Sequence, residues 1–177
     1  MKARLAVLVF LAAVAGACQA ARDPSPAGSK FSLEQLKAQS YADLGPDAVD
    51  AAAYPPKARA GYPYFVQVCS QCHTLARPLN GPEATRQEWE LHIRRMHAKT
   101  LVNGWWTEFG KADAAKILDF LEYDSQVRKL DDKAAFAAKT AELKALFEEV
   151  KAERSRLQLE EGRRDAKPAA PYVGAKP

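Results

Sequence analysis

Two thiols and one imidazole lie within five positions of this chain, at Cys69, Cys72 and His73 in the stretch VCSQCHT. Thiolates and imidazoles are the side chains that bind soft and borderline metals, and thiolates are also strong nucleophiles. The stretch can therefore form part of a zinc site, act as a redox dithiol, or attach a prosthetic group covalently. The residues around it decide between these three chemistries.

Two of the three chemistries lack the residues that they need. A structural zinc site takes four ligands, commonly as two separated pairs, but the sequence has no second cysteine pair. His92 and His97 do not make a usual partner set for the first pair. A thioredoxin-like dithiol follows a strand within a βαβ pattern, and no such pattern surrounds Cys69 and Cys72. Both uses are therefore disfavoured.

Covalent haem attachment needs all three side chains at this spacing. In Cys-x-x-Cys-His, two thiols on adjacent turns of a short helix each add across one haem vinyl group, and the next imidazole reaches the iron. The stretch therefore predicts one haem c. Cys69 and Cys72 form the thioether links, and His73 is the proximal iron ligand.

The first 20 residues have the layout of a secretory signal. A short basic start with Lys2 and Arg4 precedes an apolar run from Leu5 to Val14 and then small residues. The run is too short to form a comfortable membrane span. The sequence therefore predicts an exported, periplasmic protein, and export leads to the compartment where bacteria attach haem to such motifs.

Cys18 leaves two outcomes of export open. The stretch AGAC resembles the lipobox of bacterial lipoproteins, whose cysteine is acylated and becomes the mature N-terminus, although Ala15 stands where Leu is preferred. Lipidated Cys18 would associate the protein with a membrane. Cleavage after Ala20 would instead release a soluble product. Cys69 and Cys72 survive in both cases.

Periodicity and capping signals predict an all-α protein, because no alternating strand pattern of useful length is present. A Thr-x-x-Glu capping box at Thr85 and Glu88 marks one helix start, and Ser32 begins a short helix. Helices around the motif are predicted at 64–72, 85–98 and 111–123. The predicted divisions are a signal peptide at 1–20, a linker and irregular wrap at 21–60, a haem domain at 61–128, a charged amphipathic helix at 129–165 and a disordered tail at 166–177.

The predicted C-terminal helix repeats an apolar residue at every seventh position: Phe136, Leu143, Val150 and Leu157. This repeat predicts a long amphipathic helix. A coiled-coil dimer is disfavoured, because Lys139 and Glu153 fall at would-be seam positions. We expect the helix to fold back onto the haem domain or to stand partly solvated. Docking onto a larger redox complex is a further hypothesis for it.

Two stretches resemble class I cytochromes c. GYPYFVQVCSQCHT is similar to the opening of these proteins, and AAKILDFL is similar to their C-terminal helix. The resemblance covers Gly61 to about Tyr123, about a third of the chain, and reaches neither extension. In the family a glycine lets the first helix approach the last. The resemblance therefore implies a contact between Gly61 and Phe120, which a side chain at Gly61 would break.

The resemblance also implies a second axial ligand for the iron. The stretch EWELHIRRM is similar to a helix of small bacterial cytochromes in which a Trp precedes the ligating Met by seven residues. It implies Met96 as the distal ligand and Trp89 as a cofactor-binding residue on the same helix face. His92 and His97 are the rival ligands, and His92 lies nearer the face of Met96.

Further roles are assigned to residues near the motif. Only 22 residues separate the two axial ligands, fewer than in mitochondrial-type cytochromes, which implies a larger opening at the haem edge. Arg77 is a candidate to bind a haem propionate. The turn from Arg77 to Pro82 is a candidate to supply a carbonyl oxygen that orients the His73 imidazole. Trp105 and Trp106 either wall the haem or seal the domain.

The sequence thus predicts electron transfer by a haem c with His/Met ligation, as a carrier or as a subunit of an exported redox complex. Its partners would be redox proteins, and no residues suggest an enzyme's catalytic base or substrate pocket. The formal net charge of +4, of which the signal contributes half, is too balanced to suggest nucleic-acid binding. A haem sensor or peroxidase-like protein with a displaceable sixth ligand is the alternative.

Overall fold

The computed structural model of this chain describes residues 25, 26, 28–103 and 110–165. Within these ranges the protein is all-α, as predicted, with no strand. The predicted signal peptide and tail, and Trp105 and Trp106, lie outside the described residues. The helices are α1 (Leu33–Lys37), α2 (Pro56–Cys69), α3 (Ala76–Asn80), α4 (Arg86–Asn103), α5 (Lys111–Ser125) and α6 (Lys133–Asp165), with a 3₁₀ turn at Tyr41–Leu44 and a π-helical turn at Gln126–Asp131. None of the described helices combines the length and apolar character that a membrane crossing requires.

Helices α2 and α5 meet in close contact at Gly61. A Cβ atom at this position would collide with the carbonyl oxygen of Lys116 and lie 2.9 Å from the Cβ of Phe120. The rings of Phe65 and Phe120 are fully buried, with centroids 4.9 Å apart. The predicted contact between Gly61 and Phe120 is therefore confirmed, and it lies in the main core.

Helix α2 begins earlier and ends earlier than predicted. Pro56 fits the first helical position, where no backbone N–H is needed, so the helix starts there. Pro63 does not start the helix but lies within it, on an exposed side. The helix ends at Cys69, and Cys72 and His73 therefore lie in the turn that follows.

Helix α4 starts where the capping signal predicts. The Glu88 N–H donates to Thr85 Oγ1 at 3.3 Å, and the Thr85 N–H donates to the Glu88 carboxylate at 2.8 Å. This reciprocal pair is the predicted capping box. The helix continues beyond the predicted end at residue 98, through Asn103.

The N-terminal segment, defined here as residues 28–46, packs along α6. Phe31 and Leu36 form one buried cluster with Val150, which has no exposed surface. Arg154 donates hydrogen bonds to the carbonyls of Leu36 at 2.8 Å and Ala38 at 2.6 Å. Part of the apolar stripe of α6 is thus covered by its own chain. The π-helical turn before α6 was not expected, so this helix begins at residue 133 rather than 129.

Candidate functional site

A cleft of about 720 Å³, its open mouth included, brings the predicted haem ligands together. Cys69, Cys72 and His73 from the end of α2 and the following turn line it with Met96 from α4. The apolar side chains in its wall include Val68, Pro78, Trp89, Ile93, Ile117 and Leu121.

The two cysteines of the motif differ in their exposure. Cys69 ends α2 and is partly buried, whereas Cys72 is exposed, and both thiols are free. Burial, with a smaller contribution from Cys72, raises the pKa of Cys69 to about 12, so its thiol is protonated at neutral pH. A redox dithiol needs a low-pKa thiolate, and this environment disfavours one. A thiol that forms a permanent thioether link does not need a low pKa.

His73 is held in the form that binds iron. Burial is the main cause that lowers its pKa, so the imidazole is neutral at neutral pH. Its Nδ1 lies 2.9 Å from the carbonyl oxygen of Thr74, to which the Nδ1–H donates. The lone pair is then on Nε2, the other ring nitrogen. The orienting carbonyl thus comes from Thr74, not from the turn between Arg77 and Pro82 as the sequence suggested.

Arg77 contacts the N-terminal segment and is absent from the residues that line the cleft. Its Nε and one terminal nitrogen each lie 2.7 Å from a carboxylate oxygen of Asp43, which makes a bidentate ion pair. This geometry is the one that arginine prefers with carboxylates. The structure therefore gives Arg77 a role in holding α3 to the N-terminal segment, and its contact with a haem propionate stays a prediction.

Helix α4 contributes three side chains able to ligate iron to the lining of the cleft: Met96, His92 and His97. His92 Nδ1 lies 3.4 Å from a carboxylate oxygen of Glu83, and the hydrogen bond from His92 is the main cause that lowers the pKa of Glu83. Trp89 is fully buried, and its indole N–H donates to Ser125 Oγ at 3.0 Å. The Trp89 ring is thus fixed in the cleft wall.

Comparisons with models of protein families, with curated proteins and with solved structures find no match for this chain. The roles of the cleft residues therefore rest on their chemistry and geometry.

The donor set fits haem c. Two thiols, a neutral imidazole and a thioether line one largely apolar cleft, which is what covalent attachment and His/Met ligation require. Among the described residues, no group of three or more His, Cys, Asp or Glu side chains is placed to hold a metal ion by itself. Met96 and the haem nitrogens would have to complete the coordination that His73 begins.

A buried polar cluster behind the cleft was missed in the sequence. Asp124, Ser125 and Lys129 are each no more than 4% exposed, at the end of α5 and in the π-helical turn. Arg128, beside them, donates to both Asp124 oxygens and to the carbonyl of Leu79, the latter at 3.0 Å. From sequence alone, the stretch DSQVRKLDD at 124–132 has the composition of a solvated, charged linker. No local pattern indicates that its charges turn inward.

Proposed function

We propose that this chain is an electron-transfer protein with one covalently attached haem c. Cys69 and Cys72 would hold the haem through thioethers, and His73 and Met96 would ligate its iron. The observation that carries the proposal is that these four side chains, contributed by two separate parts of the chain, line the same apolar cleft.

Bound haem supplies a one-electron Fe(III)/Fe(II) couple. The protein residues determine how that couple behaves. Neutral His73 and the thioether of Met96 form a ligand pair that favours a higher potential than two histidines would. Trp89, Ile117 and Leu121 are buried in the wall of the cleft and exclude water from it, which keeps reorganisation small. Exposed Cys72 marks the side on which the cleft opens to the surface.

The protein acts as a carrier or as the electron-transfer subunit of an exported complex, and its partners are redox proteins. It is not itself an enzyme and does not bind nucleic acid. The signal-like N-terminus places it in the periplasm, either soluble or attached to a membrane through a lipid on Cys18.

A haem sensor or peroxidase-like protein is the second candidate function. It is supported by the presence of His92 and His97 on the same wall as Met96, which offers replacement ligands when Met96 is displaced. In that case the reduced protein binds CO readily without denaturant. A firmly held Met96 resists CO.

The proposal is tested by optical spectra of the full chain expressed with haem-maturation machinery. We expect a c-type haemochrome and a sulfur–iron charge-transfer band. Met96→Ala should abolish this band, whereas His92→Ala and His97→Ala, the matched controls from the same helix, should retain it. Absence of covalent haem contradicts the proposed function. Covalent haem whose band survives Met96→Ala contradicts Met96 ligation and favours the second candidate.

A further inference from the structure

Lys129 is a buried cation whose hydrogen bonds all go to backbone carbonyls. The residue is 4% exposed. Its Nζ donates to the carbonyl oxygens of Pro78 at 3.2 Å, Gly81 at 2.8 Å and Glu83 at 2.8 Å. An ammonium group has three N–H donors, so these contacts use all of them. A neutral amine would lose one contact, and the geometry is therefore that of the charged form.

The charge of Lys129 lies directly behind the cleft wall. Its Nζ is 5.0 Å from the centre of the Trp89 ring, within cation–π range, and it contacts the Pro78 carbonyl. Trp89 and Pro78 both line the cleft. One layer of side chains therefore separates this ammonium from a group bound in the cleft. Phe136 closes the other side, at 5.5 Å from Nζ to the ring centre.

The neighbouring charges leave Lys129 without a direct counterion. Among the ion pairs of the described residues, Asp124 pairs with Arg128 and none includes Lys129. The carboxylates of Asp124, Glu83 and Glu88 act on it only from a distance, and Arg128 opposes them. Burying an ammonium costs free energy that an apolar side chain would not. Burial lowers the pKa of Lys129 to about 8, which still leaves it largely charged at neutral pH.

We propose, building on the proposed haem site, that Lys129 is a positioning residue with two effects. It ties the backbone of residues 78–83 against Trp89, and its buried charge raises the reduction potential of haem in the cleft. The first effect follows from the three carbonyl contacts, which hold the segment after the His73 turn. The second follows because reduced iron carries one positive charge less than oxidised iron. A nearby cation in a low-dielectric wall therefore favours the reduced form.

The test compares three variants of the full-length, haem-loaded protein. Lys129→Met removes the charge and the tether. Lys129→Gln removes the charge but keeps two N–H donors for the carbonyls. Lys133→Met makes the same charge change at an exposed position four residues later, where solvent screens it.

We expect both Lys129 variants to lower the midpoint potential by at least ~59 mV, a tenfold change in the ratio of reduced to oxidised protein for one electron. Lys133→Met should shift it far less. A purely structural role predicts instead that Lys129→Gln, which keeps two N–H donors, shifts the midpoint potential much less than Lys129→Met does. If Lys129→Gln binds haem normally and its potential equals that of Lys133→Met, the proposal is wrong.

Amide hydrogen exchange of residues 79–84 tests the tether separately. Loss of a buried charged hydrogen-bond donor should speed exchange there about tenfold or more in Lys129→Met, with no change in Lys133→Met. Should Lys129→Met not fold, Lys129→Gln takes its place, and intermediate exchange is expected. Equal exchange in all proteins overturns the tether. Because exchange is measurable without haem, a chain that fails to bind haem contradicts the proposed function without deciding the tether.

Discussion

Individual side chains in the cleft are already in the states that haem attachment and ligation use. His73 is neutral with its Nδ1–H donated to Thr74, and the buried Cys69 thiol is protonated. The indole N–H of Trp89 is satisfied by Ser125. Because the His73 Nδ1–H and the Trp89 N–H both donate to residues outside the cleft lining, His73 Nε2 and the Trp89 ring face remain available to a cofactor.

Gly61→Ala should destabilise the protein by about 3 kcal/mol, the upper end of overpacking costs, because the added carbon meets a backbone carbonyl. Thermal or denaturant unfolding measures the change. Gly162→Ala is the matched control. No atom lies within 4 Å of a Cβ built at Gly162 in α6, so this change should stabilise by up to about 1 kcal/mol. Equal effects of the two changes would contradict the close contact of α2 and α5.

Trp89→Phe should cost about 1–3 kcal/mol beyond the lost ring area, because it leaves the fully buried Ser125 hydroxyl without its donor. Adding Ser125→Ala removes the unpaired hydroxyl as well and should recover part of this loss. Unfolding free energies of the two single variants and the double variant give the coupling. Strict additivity would show that the hydrogen bond contributes nothing.

Among the helical elements, α3 is positioned by its neighbours. A helix of five residues is not stable alone in water. Asn80 holds it to the N-terminal segment, since its Nδ2 donates to the Pro46 carbonyl at 2.9 Å, and Arg77 pairs with Asp43. Arg128 binds the Leu79 carbonyl on the other side. The short helix beside the attachment motif is therefore positioned by contacts distant in the sequence.

The Asp43 carboxylate should make this arrangement sensitive to acid. Burial raises the pKa of Asp43, but Arg77 and the N–H groups of Gln39 and Ser40 lower it more, so the pKa lies below its ordinary value. A carboxylate with a depressed folded-state pKa contributes stability above its unfolded pKa of about 3.9, and that stability is lost as pH falls through the folded pKa.

Asp43→Asn should therefore lower the unfolding free energy at pH 6, with a deficit relative to wild type that shrinks below about pH 4. Unfolding curves measured from about pH 2 to about pH 7, a range that spans the titration of carboxylates, provide the test. Asp47→Asn is the control, since Asp47 is exposed one residue beyond the N-terminal segment and should give little change. A deficit that is independent of pH would contradict the proposed charge effect.

In the whole molecule, the N-terminal segment and α6 pack against each other, and the N-terminal segment also packs against α3. The N-terminal segment contacts α6 through Phe31, Leu36 and Val150, and it contacts α3 through Asp43. Helix α6 therefore supports α3 indirectly, through a segment at the other end of the chain. The apolar stripe of α6 is used within the monomer at these positions, which is in line with the expectation that the helix folds back.

Leu36→Ala should cost about 2–3 kcal/mol, because it leaves a cavity under Val150. It should also speed proteolysis of the N-terminal segment. Leu33→Ala is the matched control, because Leu33 lies in the same helix but is 36% exposed, and its loss should cost less than about 1 kcal/mol. Equal costs for the two leucines would contradict packing of this segment on α6.

The parts of the site that follow local rules could be predicted from the sequence. The attachment spacing brings Cys69, at the end of α2, close to His73 in the turn that follows, and helical periodicity places Trp89 and Met96 on one wall. The Asp43–Arg77 pair and the inward-facing Lys129 could not be predicted, because each depends on contacts 34 or more positions away. The start of α2 at Pro56 was not predicted, because prolines at positions 56 and 63 usually indicate that a helix is interrupted between them.

The contact between Arg154 and the Leu36 carbonyl spans 118 positions and has a consequence for the order of folding. During synthesis, the N-terminal segment emerges well before its partner surface on α6. We therefore expect the attachment motif to remain in an open chain until α6 arrives. Closure of such a long loop is entropically costly, so docking of α6 should come late in folding. If haem is attached as proposed, a maturation enzyme would have access to both thiols before the fold closes around α3.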